Sequence, residues 1–578
     1  MIDGKLVAAA EEERFRRIKH WAGLPTESVR YCLESAGLAL GDVAVLAINS
    51  DPRAALAQKI WFTLRHRPDP ALVLSRLRNR ARRKAVSVLL SEALGQPFNG
   101  RVEFVEHHRA HLSSAFHVSP FEQAVCVSVD GFGDFASAAW GLGRGSEIRI
   151  DGRVHFPHSL GLFYQAITQF IGFPHYGDEY KVMGLAPYGE PKYLAAMRSI
   201  VRLKRDGGFA LDLACFRHHR EKFEYAWENG APVVGPLFTG ELAQRLGPAR
   251  GKDEPLEQRH KDLARSAQAM YEEAFFHLLN TLHARYGLDA LTLAGGCAMN
   301  SVANGKVTRM TPFKQLYVQS AAGDAGGAIG AAFSAWHKSP SPAPSARPLP
   351  VREHSRGGQF VMDHAYWGPE TTPTQMDDFV AANREAITAA GCSIEKDCDP
   401  FSFLFLRTAE AIAGGKVIGW FQGRMEWGPR ALGNRSILGD PRRADMKDIL
   451  NAKIKRRESF RPFAPSILRE RVPDWFELDG DVPFMMQVYP IRAEQRAKIP
   501  AVTHVDGSGR LQTVTRESNP RYYALIEAFG ALTGVPMLLN TSFNENEPVV
   551  CTPAEALDCF LRTKMDVLVL GDWFISRG

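Results

Sequence analysis

Three short apolar runs in the first part of the chain end in turns of glycine, aspartate or asparagine: AVLAIN (44–49), AVCVSVD (124–130) and LTLAGG (291–296). Their length and their aliphatic, β-branched content predict buried strands. The stretch from Lys261 to Tyr286 instead places its apolar residues at helical spacing and predicts one long helix. Strands that end in glycine loops and lead into helices predict open α/β sheets, with ligands gathering at the strand ends. Farther on, VIGWF (417–421) and DVLVLGDWFI (566–575) read as strands, and helices are expected near 402–414, 522–533 and 553–563. Between the two parts runs SPSPAPSARPLP (339–350), which stiffens a chain without giving it a core. The expected division is therefore residues 1–338, a linker at 339–350, and residues 351–578.

At 578 residues the chain is too long for a single core. Its 45% hydrophobic and 23% charged content is that of an ordinary water-soluble protein. A net charge of +6 singles out no partner. Arg76, Arg78, Arg80, Arg82, Arg83 and Lys84 form a local basic run that reads as a solvated helical face. No aromatic side chains interleave with it, so no nucleic-acid partner is expected. Eight cysteines lie scattered without a CxxC pair, which fits reduced thiols in a cytoplasm. No apolar run reaches the roughly 18 residues of a membrane span, and the first residues lack the apolar stretch of a signal peptide. A cytoplasmic protein with no membrane partner is expected.

The sharpest chemical signal is HHRAH at 107–111. On a helix His107 and His111 share one face, with Cβ atoms about 5–6 Å apart, which is chelating geometry. Asp130 ends a strand and opens DGFGD, where glycines let a carboxylate and backbone amides approach a ligand. Asp324 sits in GDAGGAIGAA, whose small residues would let a helix pack closely. Each acid alone reads as a cap or turn residue. Two imidazoles with two carboxylates make an N/O donor set suited to Fe(II), Mn(II) or Zn(II).

Two further patterns point to anions and nucleotides. GGCAMNSVANGK (295–306) follows a strand, so Gly295 and Gly296 could admit a base or ribose, with Asn300 as a hydrogen-bonding group. A tight strand-to-helix turn is the plainer explanation of a glycine pair. The second part sets cations among glycines: Arg424, Arg430 and Arg435 in GRMEWGPRALGNRS, Lys455 and Arg461 in KIKRRESFRPFAPS, and Arg510. LLNTSFN adds Asn540, Thr541 and Ser542 at a strand end. Guanidinium forks hold phosphate oxygens in pairs, and a cluster of them is relieved by an anion between them. Any one of these arginines is better explained by a structural ion pair; the set together favours an anionic ligand such as a nucleotide triphosphate.

EEERFRRIKH, HHRAHLSSAF, VDGFGD, EYKVMGLAPYG, GGCAMNSVANGK, GDAGGAIGAA, GRMEWGPRALGNRSIL, SFRPFAPS and LNTSFN follow one another in an order that resembles the NodU/CmcH-type O-carbamoyltransferases. The resemblance covers nearly the whole chain. It implies an α/β protein with an actin-like, ribonuclease-H-like two-lobed first domain and a YrdC-like second domain. It further implies that carbamoyl phosphate and ATP, the latter with Mg(II), give carbamoyl-adenylate in the second domain. The carbamoyl group would then pass to a small-molecule hydroxyl in the first, as in antibiotic biosynthesis, beside a bound Fe(II) or other divalent ion.

By motif position the resemblance makes His107, His111, Asp130 and Asp324 the metal ligands and places Lys19, of RRIKH, near the transfer site. It assigns Arg430, Lys455, Arg461, Arg510, Asn540 and Ser542 to the adenylate-forming pocket. The chain departs from the family at its first residues, Met1-Ile2-Asp3-Gly4, which stand where members usually have just passed a strand and a loop with a His-Asp pair. That departure keeps open a non-catalytic, nucleotide-binding protein of the actin superfamily. Threonylcarbamoyl transfer to another acceptor is the nearer rival. The acceptor pocket is expected in the insertions at 52–100 and 205–260, and a homodimer is left open.

Overall fold

The computed structural model describes all residues except 67–85, 222–224, 229–230, 339–354, 357–358, 398–402, 456–457 and 459. The expected linker and the basic run at 76–84 lie outside the described residues. The chain divides into two compact units, one of residues 1–8 with 20–362 and one of residues 9–19 with 363–578.

This division differs from the expected one at both ends, for a physical reason. Residues 9–19 are anchored in the second unit. Ala9 N–H donates to Trp367 O at 3.1 Å, an Arg14 guanidinium nitrogen to Gly428 O at 2.9 Å, and Arg17 to Pro548 O and Val549 O at 2.6 and 2.7 Å. Beyond the Pro/Ser stretch the chain first returns to the first unit, where Met362 N–H donates to Val118 O and Tyr317 Oη donates to Met362 O. A proline-rich run marks where no core forms. It carries no information about which body its flanks rejoin.

In the first unit β1 (Val45–Ile48) pairs in parallel with β2 (Arg101–Phe104), and α1 (Leu56–His66) and α2 (Val86–Leu94) lie between them in sequence. Helix α3 (His107–Phe116) leads into β3 (Gln123–Gly133), β4 (Ala136–Arg144) and β5 (Glu147–His155), which pair antiparallel. After α4 (Leu160–Phe170), α5 (Glu179–Leu185) and the long α6 (Gln258–Tyr286), β6 (Ala290–Ala294) and β7 (Gln315–Val318) join in parallel. The sheet order is β7-β6-β3-β4-β5. Seven consecutive residues of β3, Ala124–Asp130, are buried, so both its faces are covered and its apolar run is continuous. That run drives the strand that carries Asp130 through the middle of the unit.

Helix α7 (Gly326–Lys338) packs on α3 through its small residues. A Cβ on Gly330 would stand 1.8 Å from Ala110 O and 2.8 Å from Ser114 N, so the two backbones touch there. The close approach expected of GDAGGAIGAA is thus spent on holding the helix that carries both histidines.

The second unit is built on a nine-stranded mixed sheet. Its elements are α8 (Pro373–Ala389), β8 (Cys392–Lys396), α9 (Phe403–Ala413), β9 (Ile418–Phe421), β10 (Arg435–Gly439), β11 (Ala464–Leu468), β12 (Gln487–Pro490), β13 (Ser508–Val514), α10 (Pro520–Thr533), β14 (Met537–Ser542), α11 (Pro553–Arg562), β15 (Val567–Leu570) and β16 (Trp573–Arg577). The order is β8-β16-β15-β9-β10-β14-β11-β13-β12. DVLVLGDWFI is accordingly a hairpin of two strands turned at Gly571 and Asp572. No helix among the described residues is long and apolar enough to cross a membrane.

Substituting Gly330→Val should force α7 off α3 and destabilise the first unit by about 2–3 kcal/mol, as overpacking does. A melting profile that leaves the first unit's transition unmoved contradicts this account of the crossing.

Candidate functional site

Helix α3 begins at His107, and its start is fixed from two sides. Glu106 caps it by accepting from Arg109 N–H at 2.8 Å. Asp134 accepts from His107 N–H at 3.0 Å, from Ser50 Oγ at 2.7 Å and from Asp51 N–H at 2.6 Å, tying the helix to the loop after β1. Gly133 lies flat on the His107 ring, where a Cβ would come within 2.0 Å of the imidazole carbons. The DGFGD loop therefore sets the ring's position by contact.

Four side chains converge at this end of the unit. His107 Nε2 and His111 Nε2 are 3.0 Å apart, and Asp130 Oδ2 lies 3.0 Å from the first and 2.9 Å from the second. Asp324 Oδ1 lies 3.7 and 3.5 Å from the same nitrogens. One donor atom from each of the four falls within 4.8 Å of every other. Asp130 is oriented by its second oxygen, which accepts from Gly131 N–H at 2.7 Å and Gly296 N–H at 3.1 Å. The glycine loop after β6 thus holds the carboxylate whose other oxygen faces the histidines.

The electrostatics are severe. Burial alone would raise Asp130, yet hydrogen bonds from His107 and His111 hold its carboxyl well below the usual range. Burial would lower His111, but Asp130 and Asp324 outweigh it and carry the imidazole up to about 10. The arrangement demands positive charge among two carboxylates. A divalent cation fits this donor set of two imidazole nitrogens and two carboxylate oxygens.

Around the glycine loop the expected nucleotide contacts are only partly available. Asn300 Oδ1 caps a short helix by accepting from Ala303 N–H, and its amide exchanges hydrogen bonds with Gln268 at 3.0 and 3.1 Å. Its side chain is committed to the fold. Sequence reasoning missed Glu179, which opens α5. Burial, followed by neighbouring Asp178, raises its carboxyl to about 7 against backbone hydrogen bonds from its own amide and Gly177. Cys297, whose thiol burial raises well above its ordinary value, has both Asp130 and Glu179 as charge neighbours. An acid directly after Gly177-Asp178, where a helix starts, was the signal available in EYKVMG.

In the second unit the loop between β9 and β10 separates its three arginines. Arg435 is fully buried and donates to Gln422 O, Gly423 O, Asn434 O and Pro369 O at 2.5–3.1 Å. Arg424 donates to Trp367 O and Gly368 O. Both are structural. Glu426 Oε1 accepts from Leu432, Asn434 and Arg435 N–H at 2.7–3.2 Å and bends the loop so that Arg430 stands at its tip. Arg430 Nε is buried without a hydrogen-bond partner, and no carboxylate among the described residues pairs with it. Burial and then the charge of Arg461 push its pKa down to about 10.

Of the other expected positions, Arg461 is a charge neighbour of Arg430 and Asn540 bonds the next residue, Ala431. Asn540 Nδ2 donates to Ala431 O, Ser466 Oγ and Gln512 Oε1, while its Oδ1 is buried with no partner. Lys455 donates to Ser542 O, Asn544 O and Asn544 Oδ1 at 2.6–2.7 Å, so its ammonium pins the LNTSFN loop. Arg510, on β13, is a charge neighbour of His504, which burial chiefly drives down to about 4. Lys19, expected near the transfer site, is part of the second unit. There desolvation lowers its pKa, Glu13 opposes that, and Arg461 adds to it. It travels with residues 9–19, whose arginines are tied to that unit. Lys19 and Arg430 both have Arg461 as a charge neighbour, with Glu458 3.6 Å from Arg461 and Glu13 and Glu547 near Lys19.

Comparisons with known proteins match both parts. The family model of the carbamoyltransferase N-terminus covers residues 1–333, and that of the carbamoyltransferase C-terminus covers residues 409–577. The chain is 40% identical to an uncharacterized protein of Synechocystis sp., over 100% of this chain and 94% of that one. It is 40% identical to nodulation protein NolNO of Sinorhizobium fredii, over 100% of this chain and 78% of the relative. Over 50% of the chain and 49% of the relative it is 34% identical to 3'-hydroxymethylcephem-O-carbamoyltransferase of Amycolatopsis lactamdurans. Matched in both halves and along its full length, the chain belongs to the carbamoyltransferase family of the NodU/CmcH type and is an enzyme, a carbamoyltransferase.

Proposed function

We propose that this carbamoyltransferase is ATP-dependent and acts through two half-reactions. In the second unit carbamoyl phosphate, water and ATP give carbamoyl-adenylate, phosphate and pyrophosphate. In the first unit the carbamoyl carbon is transferred to the hydroxyl oxygen of a small natural product or sugar, and AMP leaves. The observation that carries this reading is Arg430, a half-buried arginine beside Arg461 whose Nε is out of solvent without a hydrogen-bond partner and which no acid among the described residues pairs with. Such a charge is costly unless an anion occupies the space it faces. Phosphate groups of ATP fit that requirement, with Lys19 and Arg461 adding charge around them.

Carbamate is a poor acyl donor because its nitrogen feeds electrons into the carbonyl, and a mixed anhydride with AMP supplies the leaving group it lacks. In the first unit His107, His111, Asp130 and Asp324 would hold a divalent ion, Fe(II) in the reading favoured here. That ion supplies Lewis acidity to an oxygen of the transferring group. Asp130 is presented by the N–H groups of Gly131 and Gly296, and Glu179 near the same loop exchanges a proton close to neutral pH. A sheet of three antiparallel strands extended by two parallel ones supports the ribonuclease-H-like reading of this unit. The nine-stranded mixed sheet supports the YrdC-like reading of the other. The name of the cephem relative, an O-carbamoyltransferase, supports a hydroxyl acceptor.

Pyrophosphate release from ATP should depend on carbamoyl phosphate. It should fall about 100-fold or more in Arg430→Gln, as loss of a charge-stabilising donor does, and survive in His111→Ala. Wild-type protein that releases no pyrophosphate under these conditions sinks the adenylate reading. Because Arg430 is an uncompensated charge, Arg430→Met should raise the melting temperature of the ligand-free protein by about 2–4 °C, equivalent to about 1 kcal/mol. The same variant should lose the stabilisation that pyrophosphate gives the wild type. A lower melting temperature, or an undiminished pyrophosphate shift, contradicts an anion site at Arg430.

A further inference from the structure

Three adjacent strands of the second unit's sheet carry buried polar side chains on one face: Asn540 on β14, Ser466 on β11 and Gln512 on β13. Ser466 stands opposite Gln512 in the parallel β11–β13 pairing, and Asn540 stands opposite Ala464 in the antiparallel β11–β14 pairing. Ala464 and Ser466 are two residues apart along β11 and so share a face. The three side chains bond in a row. Ser466 Oγ donates to Gln512 Oε1 at 2.6 Å, and Asn540 Nδ2 lies 3.0 Å from Ser466 Oγ and 3.1 Å from Gln512 Oε1. Apolar residues would fill such places at lower cost, and what a polar row adds is a fixed geometry.

The row fixes the loop that carries Arg430. Asn540 Nδ2 donates to Ala431 O at 3.1 Å, and Gln512 Nε2 donates to Leu432 O at 2.8 Å. Leu432 O accepts again from Tyr366 Oη at 2.8 Å, while Leu432 N–H is taken by Glu426. The carbonyls of the two residues after Arg430 are thereby occupied. Gln512 joins loop and row, because its nitrogen holds Leu432 and its oxygen holds Ser466 and Asn540. Its amide cannot turn over, since a carbonyl only accepts. The Asn540 amide is fixed by the same rule, which leaves its Oδ1 buried without a donor.

We propose that Gln512 is a positioning residue for Arg430. Arg424 and Arg435 show what an arginine of this loop does when main-chain carbonyls are within reach: it bonds them. By occupying Leu432 O and tying it to β13, Gln512 holds the loop in the shape that leaves the Arg430 guanidinium for an anion. It acts through the loop and not on substrate. The role rests on the reading of Arg430 as the phosphate-binding group of the adenylate-forming reaction.

The test is a double-mutant cycle in the full chain with Arg430→Gln, Gln512→Leu and the two combined. It is read by carbamoyl-phosphate-dependent pyrophosphate release and by the rise in melting temperature that pyrophosphate produces. Gln512→Leu should slow release about 10- to 100-fold, the scale of a misplaced catalytic group, and should shrink the pyrophosphate-induced rise. Because Gln512 acts through Arg430, the combined variant should match Arg430→Gln alone to within about twofold. Gln512→Glu serves where the leucine variant does not fold. Its buried carboxyl donates to Leu432 O only when protonated, so its release rate should be low at about pH 8 and recover about tenfold, relative to the wild type, toward about pH 6. Three results overturn the role: wild-type release and shift in Gln512→Leu, losses that multiply in the combined variant, or a Gln512→Glu rate that follows the wild type across pH. A pyrophosphate shift retained in Arg430→Gln instead removes the anion reading itself, and the role of Gln512 with it.

Discussion

Two carboxylates and two imidazoles packed within 4.8 Å of one another, with Asp130 and His111 buried and Asp324 at the solvent edge, cannot all keep their ordinary charges, and this constraint orders the first unit. Positive charge must lie among them, and the surrounding elements exist to hold four donors still against their mutual cost. Asp130 is gripped by two backbone N–H groups, His107 is pressed by Gly133, and α3 is clamped by the glycine face of α7. Each of those supports is a backbone contact that a larger or more flexible residue would lose.

The second unit obeys the complementary rule. Its basic loop is shaped by one buried acid, Glu426, which gathers three backbone N–H groups and leaves Arg430 as the one guanidinium of that loop without a carbonyl or carboxylate to bond. Arg424 and Arg435 carry the same charge but spend it on main-chain oxygens. A cation prepared in this way is a site for an anion, whereas its neighbours are fasteners. Lys455 shows the same economy, with its ammonium used to fix the turn that presents Ser542.

Much of this was legible in the sequence, because strand-end acids and a His-x-x-x-His pair obey short-range geometry. The helix bearing His107 and His111, the strand that carries Asp130 and the close-packing glycines of the helix after Asp324 follow from spacing alone. What spacing could not resolve was competition for hydrogen bonds. Nothing in GRMEWGPRALGNRS distinguishes Arg430 from Arg435, since the difference lies in carbonyls contributed by residues far along the chain, such as Pro369. Asn300 fell to the same effect, its amide taken by Gln268. Residues 9–19 were assigned to the wrong body because their partners, Gly428 and Pro548, lie more than four hundred residues away.

The central claim is that His107, His111, Asp130 and Asp324 hold one divalent cation. Metal analysis of the full chain after loading with Fe(II), Mn(II) or Zn(II) and removal of excess ion tests it directly, with His111→Ala and Asp130→Asn treated alongside. About one ion per wild-type chain and essentially none in either variant is the predicted outcome. Wild-type protein that retains no ion, or variants that load as fully as the wild type, would contradict it.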